Sequence, residues 1–210
     1  VILLILPVVG LVGSNNLSTA IIILGIAVIL IFVANPQFLP FLWIGGTGVG
    51  FIGIFLSLES YRLERLAIWR NPELYEKGYQ TMQGLYAIGS GGLFGVGLGE
   101  SMQKLGFVPE AQNDMIFSII CEELGLTGAV AVLVIFGLLI WRLMVIATWT
   151  KDLFGALLAA GVMGHIMIQV ILNVAVVTNT IPNTGITLPF VSYGGTSVVF
   201  LLLEMGIALS

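Results

Sequence analysis

The chain has 210 residues, 58% of them hydrophobic and 9% charged, with a net charge of −4 and a mean hydropathy of +1.11. Soluble domains carry about 25% charged residues, so the composition describes an integral membrane protein, and its acidic balance argues against nucleic acid as a partner. A single cysteine, Cys121, excludes an intramolecular disulfide framework and offers no metal-binding pattern.

The charges are unevenly placed. Residues 1–58 hold none, and 14 of the 18 fall between Glu59 and Glu123. That pattern predicts membrane spans feeding one large functional loop. A span needs roughly 20 apolar residues. The opening VILLILPVVG has no initiator Met and no basic leader region, and it reads as the end of a span in a fragment whose upstream helices are missing. SNNLSTA breaks this span at 14–20, and Ser14 or Asn15 is the predicted cap of a second helix running to about Ala34. After NPQFLP a third span is expected at about 39–58, with glycines suited to close helix packing.

Residues 59–113 form the one long non-spanning region. Glu59 to Arg70 is predicted as an amphipathic helix, ended by Asn71-Pro72. Glu59, Arg62, Leu66 and Trp69 share a face, and Arg62 and Arg65 are neighbours three residues apart. Two readings stay open for this helix. It is either a solvated helix lying on the membrane, or a guanidinium pair gripping phosphate, with Lys104 completing a cationic wall. The glycine run GSGGLFGVGLG (89–99) matches neither a dinucleotide nor a Walker loop, and is expected to be a hinge or packing turn.

A fourth span has its uncharged part at about 124–141, bordered by Trp141, Arg142, Trp149 and Lys151. The fifth, about 153–178, carries a polar stripe of His165, Gln169 and Asn173, with His165 read as an interhelical hydrogen-bonding residue rather than a metal ligand. Residues 181–196 form a second loop. Its LPFVSYGGTS stretch reads as a plain turn or, being non-helical backbone near membrane depth, as the lining of a cavity. The last span starts near Thr196, and Glu204 within it has to face protein or a cavity.

Asp114 precedes the fourth span by ten residues from Leu124, about 15 Å at 1.5 Å per residue. That places it at or just above the membrane interface. The plain reading is a first-turn carboxylate favoured by the helix dipole, with Asn113 or Asp114 as the cap. The functional reading rests on its neighbours Glu110, Glu122 and Glu123. Four acids beside an apolar surface would raise one another's pKa values, as a general base or cation site requires.

The segments NNLSTA (15–20), RLERLAIWRNP (62–72), YQTMQGLYAIGSGGLFGVGLGESMQKLGFVPEAQNDMIFSIICEELG (79–125) and IPNTGITLPFVSYGGTS (181–197) together resemble the shape, elongation, division and sporulation (SEDS) family. They look closer to its FtsW/SpoVE branch than to RodA. NNLSTA departs from the family's PDLGTA, Gln112-Asn113 replaces the commoner His/Lys-Thr, and Met115 replaces Phe. The resemblance implies a single all-α polytopic membrane domain over 1–210, holding about six of ten transmembrane helices in the bacterial cytoplasmic membrane. Counting basic residues alone puts the 59–113 loop in the cytoplasm: Arg62, Arg65, Arg70, Lys77 and Lys104 lie there, against Arg142 and Lys151 opposite. The resemblance instead makes both loops, 59–113 and 181–196, extracytoplasmic.

The activity it implies is peptidoglycan glycosyl transfer, polymerising lipid II beside a class B penicillin-binding protein, in division or sporulation. The family's essential aspartate falls on Asp114. Arg62, Arg65, Trp69, Lys104, Glu110, Ser192, Tyr193, Gly194 and Gly195 are the expected substrate contacts. The positive charge that the leaving diphosphate needs is expected from Arg62, Arg65 or Lys104, or from a divalent cation, magnesium or manganese, held by nearby acids. The alternatives are a lipid II flippase, with the His165–Asn173 stripe and Glu204 lining its path, and a non-catalytic scaffold for the penicillin-binding protein.

Overall fold

The computed structural model describes residues 2–35 and 60–209, and these form helices and turns without a strand. The helices are α1 (Ile2–Asn15), α2 (Leu17–Ala34), α3 (Ser60–Arg70), α4 (Tyr79–Gly91), α5 (Ile116–Trp149), α6 (Leu153–Val177) and α7 (Gly195–Leu209). Three of them, α2, α5 and α6, are long and apolar enough to cross a membrane. The expected third span at 39–58 and Glu59 lie outside the described residues. α1 and α7, with 14 and 15 residues, are shorter than the roughly 20 that a crossing needs.

Helix ends follow local chemistry. The break in SNNLSTA is a single residue, because α1 continues through Ser14, whose hydroxyl donates back to Leu11 O. The cap of α2 is therefore Asn16, one residue later than predicted. Its backbone is extended and its side chain accepts from the Thr19 amide at 3.2 Å. Asn35, which precedes Pro36, is extended and closes α2. Asn71-Pro72 ends α3 in the same way, and two short 3-10 turns (Pro72–Leu74, Glu76–Gly78) lead into α4.

The chain forms two compact units. Among the described residues the first comprises 2–35, 139–168 and 203–209. Here α2 and α6 approach through small residues: a Cβ at Gly25 would lie 2.6 Å from Ile168 Cδ1, and one at Gly164 would lie 2.7 Å from Ile29 Cδ1. His165 Nδ1 meets Glu204 Oε2 at 2.8 Å. The costly acid of α7 thus faces protein, and His165 is the interhelical residue its pattern predicted.

The second unit comprises Ser60–Leu138 and Gln169–Leu202. Its core includes Ala87, Met115, Ser118, Asn173, Val177 and Leu188, all but inaccessible to solvent. In this unit α5 is not one smooth helix. Gly125 takes φ 65°, ψ −165°, a conformation that only glycine adopts readily. The glycine run crosses α5 at this break and repairs it. Val96 and Gly97 amides donate to Glu122 and Glu123 carbonyls at 3.0 Å, while Leu126 and Thr127 amides donate to Gly92 and Leu93 carbonyls at 2.9 and 3.1 Å. The predicted turn is a packed crossing, four of whose backbone groups pair with the helix it interrupts.

Candidate functional site

Asp114 sits in the turn before α5 and caps nothing. Its residue is 7% exposed, and its carboxylate accepts from Gln80 Nε2 at 3.4 Å. The segment is fixed from behind by Asn173 on α6, whose amide donates to Asp114 O at 2.8 Å and to Ile186 O at 2.7 Å. One buried side chain therefore locks the Asp114 turn to the second loop. Ser192 adds a second tie, donating to Asn113 O and accepting from the Leu188 amide, both at 2.7 Å. The Tyr193 amide adds a third, to Gln112 O at 2.8 Å.

In front of Asp114 opens a cavity of about 310 Å³, at the lower end of the range for small-molecule sites, about 300–1,000 Å³. Arg65, Trp69, Lys77, Gln80, Asn183 and Gly185 line it with Asp114. A polar chain runs around its wall. Arg65 Nη1 donates to Asn183 O at 3.3 Å, Asn183 Nδ2 to Gln80 Oε1 at 3.1 Å, and Gln80 Nε2 to Asp114. Trp69 Nε1 donates to Asn179 O at 2.9 Å, holding the end of α6 against α3. Gly185, at φ 67°, places a bare backbone beside the acid; a Cβ there would lie 4.0 Å from Asp114 Oδ2.

Burial pushes the Asp114 carboxyl above its ordinary value of 3.8. Its own backbone hydrogen bond opposes that, the Glu110 charge adds to it, and the Gln80 bond opposes it more weakly. The other acids are engaged elsewhere. Glu110 is tied to the Asn113 amide group. Glu122 is buried against Ser101 Oγ and the Met102 amide, and Glu123 meets Lys104 Nζ at 2.6 Å. Of the predicted quartet, only Glu110 acts on Asp114 electrostatically.

The expected substrate contacts are therefore divided. Arg65 and Trp69 share the Asp114 cavity. Arg62 lies on α3, and its side chain is outside the described residues. Lys104 and Glu110 line a different cavity, of about 550 Å³, with Val108, Gln112 and Ile116; Lys104 does not complete a wall with Arg65. Ser192 is consumed in internal bonds, Tyr193 is largely exposed, and Gly194 and Gly195 open α7, with Gly194 O accepting from the Val198 amide at 2.9 Å. Sequence reading missed Gln80, Asn183 and Gly185. The PNTG turn was the available signal for the last two; Gln80 had none. Among the described residues no group of three His, Cys, Asp or Glu is gathered. Among the described residues the cavity is lined by two carboxylates, Asp114 and a Glu64 that meets Lys77 at 2.9 Å.

The model of the FtsW/RodA/SpoVE family, described as cell cycle proteins, matches residues 1–210. The chain belongs to this FtsW/RodA/SpoVE family. Stage V sporulation protein E of Bacillus subtilis is 44% identical over 198 residues, covering 93% of this chain and 54% of that protein. A probable peptidoglycan glycosyltransferase FtsW of Trichlorobacter lovleyi is 38% identical over 197 residues, covering 93% and 52%. A chain from a peptidoglycan synthase complex, solved to explain how polymerization and crosslinking are coordinated, superposes with a TM-score of 0.79 at 30% identity. That match covers 99% of this chain and 59% of the other. RodA of Thermus thermophilus gives 0.64 at 29% identity, covering 99% and 53%. This FtsW/RodA/SpoVE chain spans about half the length of the curated relatives it matches.

Proposed function

We propose that the chain is the C-terminal part of a peptidoglycan glycosyltransferase that polymerises lipid II, with Asp114 as the general base. The supporting observation is a buried, pKa-raised carboxylate at the wall of a polar cavity, ten residues before the uncharged stretch of a membrane-crossing helix. Lipid II keeps its isoprenoid tail in the bilayer and its sugars just outside. A reacting group must therefore stand at the interface on the extracytoplasmic side, where this reading puts the 59–113 and 181–196 loops.

Ionised Asp114 takes the proton of the acceptor sugar's 4-hydroxyl as its oxygen attacks the donor's anomeric carbon. The bond to the undecaprenyl diphosphate oxygen breaks, and the diphosphate leaves with the electron pair. The attack inverts an α-phosphate into a β-1,4 link. Arg65 and Lys77, at the same cavity, are placed to meet the negative charge of the departing diphosphate. A class B penicillin-binding protein is the proposed partner, in keeping with the synthase complex of the structural relative.

The flippase reading drew on the polar stripe of α6 and on Glu204. Three of those groups have structural work: Asn173 holds two carbonyls and His165 meets Glu204, while the buried Gln169 Oε1 has no hydrogen-bond partner among the described residues. The deciding experiment reconstitutes the full-length protein with its cognate transpeptidase and labelled lipid II. Glycan strands formed in detergent, where no bilayer has to be crossed, support the polymerase. Lipid translocation in proteoliposomes without polymer would support the flippase, and neither activity would support the scaffold.

A further inference from the structure

The hairpin formed by the glycine run carries side chains that no part of the second unit covers. Leu93, Phe94 and Leu98 are 62%, 80% and 79% exposed, and Val96 is about half exposed. No charged residue occurs from Gly78 to Gly99. In water such a patch would be a liability.

The depth of the hairpin is fixed by its bonds. Its backbone pairs with Glu122, Glu123, Leu126 and Thr127 of α5. From Leu124 to Trp141 α5 is uncharged, roughly 27 Å at 1.5 Å per residue, close to the ~30 Å of hydrocarbon in a bilayer. The hairpin is therefore bonded across the edge of the apolar layer, to Glu122 and Glu123 just outside it and to Leu126 and Thr127 in the first turn inside it. Its exposed residues continue the exposed apolar surface of α5 formed by Leu126, Val130 and Val134.

Irregular backbone is tolerated at that depth only where its polar groups find partners, and five groups of the hairpin do so within it or on α5. The Gly95 amide donates to Gly91 O at 2.8 Å, the Gly92 and Leu93 carbonyls accept from α5, and the Val96 and Gly97 amides donate to it. The glycines make this approach possible. A Cβ at Gly95 would lie 2.1 Å from Glu123 O, and one at Gly91 would lie 1.9 Å from Cys121 O.

We infer that residues 93–98 dip into the bilayer as a half-inserted hairpin, with Leu93, Phe94, Val96 and Leu98 against lipid acyl chains. The hairpin anchors the loop carrying Asp114 at a fixed height over the membrane. The inference is independent of the proposed chemistry and of which membrane face the loop occupies.

The test uses single-cysteine variants of the full-length protein, without its partner, in nanodiscs of phosphatidylcholine and phosphatidylglycerol. Phe94→Cys and Leu98→Cys carry an environment-sensitive fluorophore, and Glu73→Cys on the exposed 3-10 turn is the control. Acyl-chain nitroxide lipids are expected to quench the probes at 94 and 98 several-fold more than the probe at 73. A membrane-impermeant thiol reagent should modify only position 73 rapidly. Rapid modification at 94 and 98 without acyl-chain quenching would overturn the inference, and shielding that then appears only on adding the partner would assign the patch to a protein.

Discussion

In the proposed reaction Asp114 needs two properties that pull against each other: it has to be ionised to accept a proton, yet its burial disfavours that charge. A raised pKa is the compromise, since a base works best with a pKa near the working pH. The acid limb of kcat/KM is accordingly expected above 3.8, the ordinary value. Glu110→Gln removes a like charge that raises Asp114, so the limb should move to lower pH in that variant. A pH profile of lipid II polymerisation checks this, and an unmoved limb would mean that another group titrates. The same shift bears on stability. A carboxyl with a raised folded pKa holds its proton to higher pH than in the unfolded chain, so stability falls as pH rises from 3.8 to the folded value. Asp114→Asn removes that penalty, and its melting temperature in detergent at neutral pH should equal or exceed the parent's. Asn173 is the opposite case. Asn173→Ala leaves the Asp114 and Ile186 carbonyls without their buried donor, at about 1–3 kcal/mol for each group left unsatisfied. Thermal unfolding should register that loss alongside lowered activity.

At the scale of elements, the glycine crossing over α5 is the most demanding feature. Gly95 combines φ 79° with a carbonyl where a Cβ would go. Gly95→Ala should therefore destabilise by about 3–5 kcal/mol, the sum of backbone strain and overpacking, which denaturation in detergent would measure. Gly89→Ala is the contrast, since a Cβ there meets nothing within 4 Å. Features written in adjacent residues were legible from the sequence: Asn35-Pro36 and Asn71-Pro72 end their helices as predicted, and α6 runs to Val177, one residue short of its predicted end. Features made by distant residues were not. Trp69 meets Asn179 across 110 positions and Arg65 meets Asn183 across 118, and no periodicity encodes such pairs. The cap of α2 was misplaced by one residue because Ser14, Asn15 and Asn16 offer similar chemistry, and only the run of α1 through Asn15 chooses among them.

For the molecule as a whole, composition settled membrane residence, and the joined motifs settled the family that the comparisons bear out. The Asp114 site was half legible. Of the expected contacts, Arg65 and Trp69 line a cavity with Asp114, whereas Lys104 lines the other one, because sequence gives charge without direction. Gln80 was missed because a glutamine in an amphipathic helix looks like surface. The central claim is that glycan polymerisation runs through the Asp114 carboxylate. The most direct measurement compares initial rates of lipid II polymerisation by the full-length parent and Asp114→Asn proteins, each with its cognate transpeptidase. Loss of a general base predicts a fall of about 10²–10⁴-fold with the melting temperature undiminished. An Asn variant that polymerises at the parent's rate would contradict the claim.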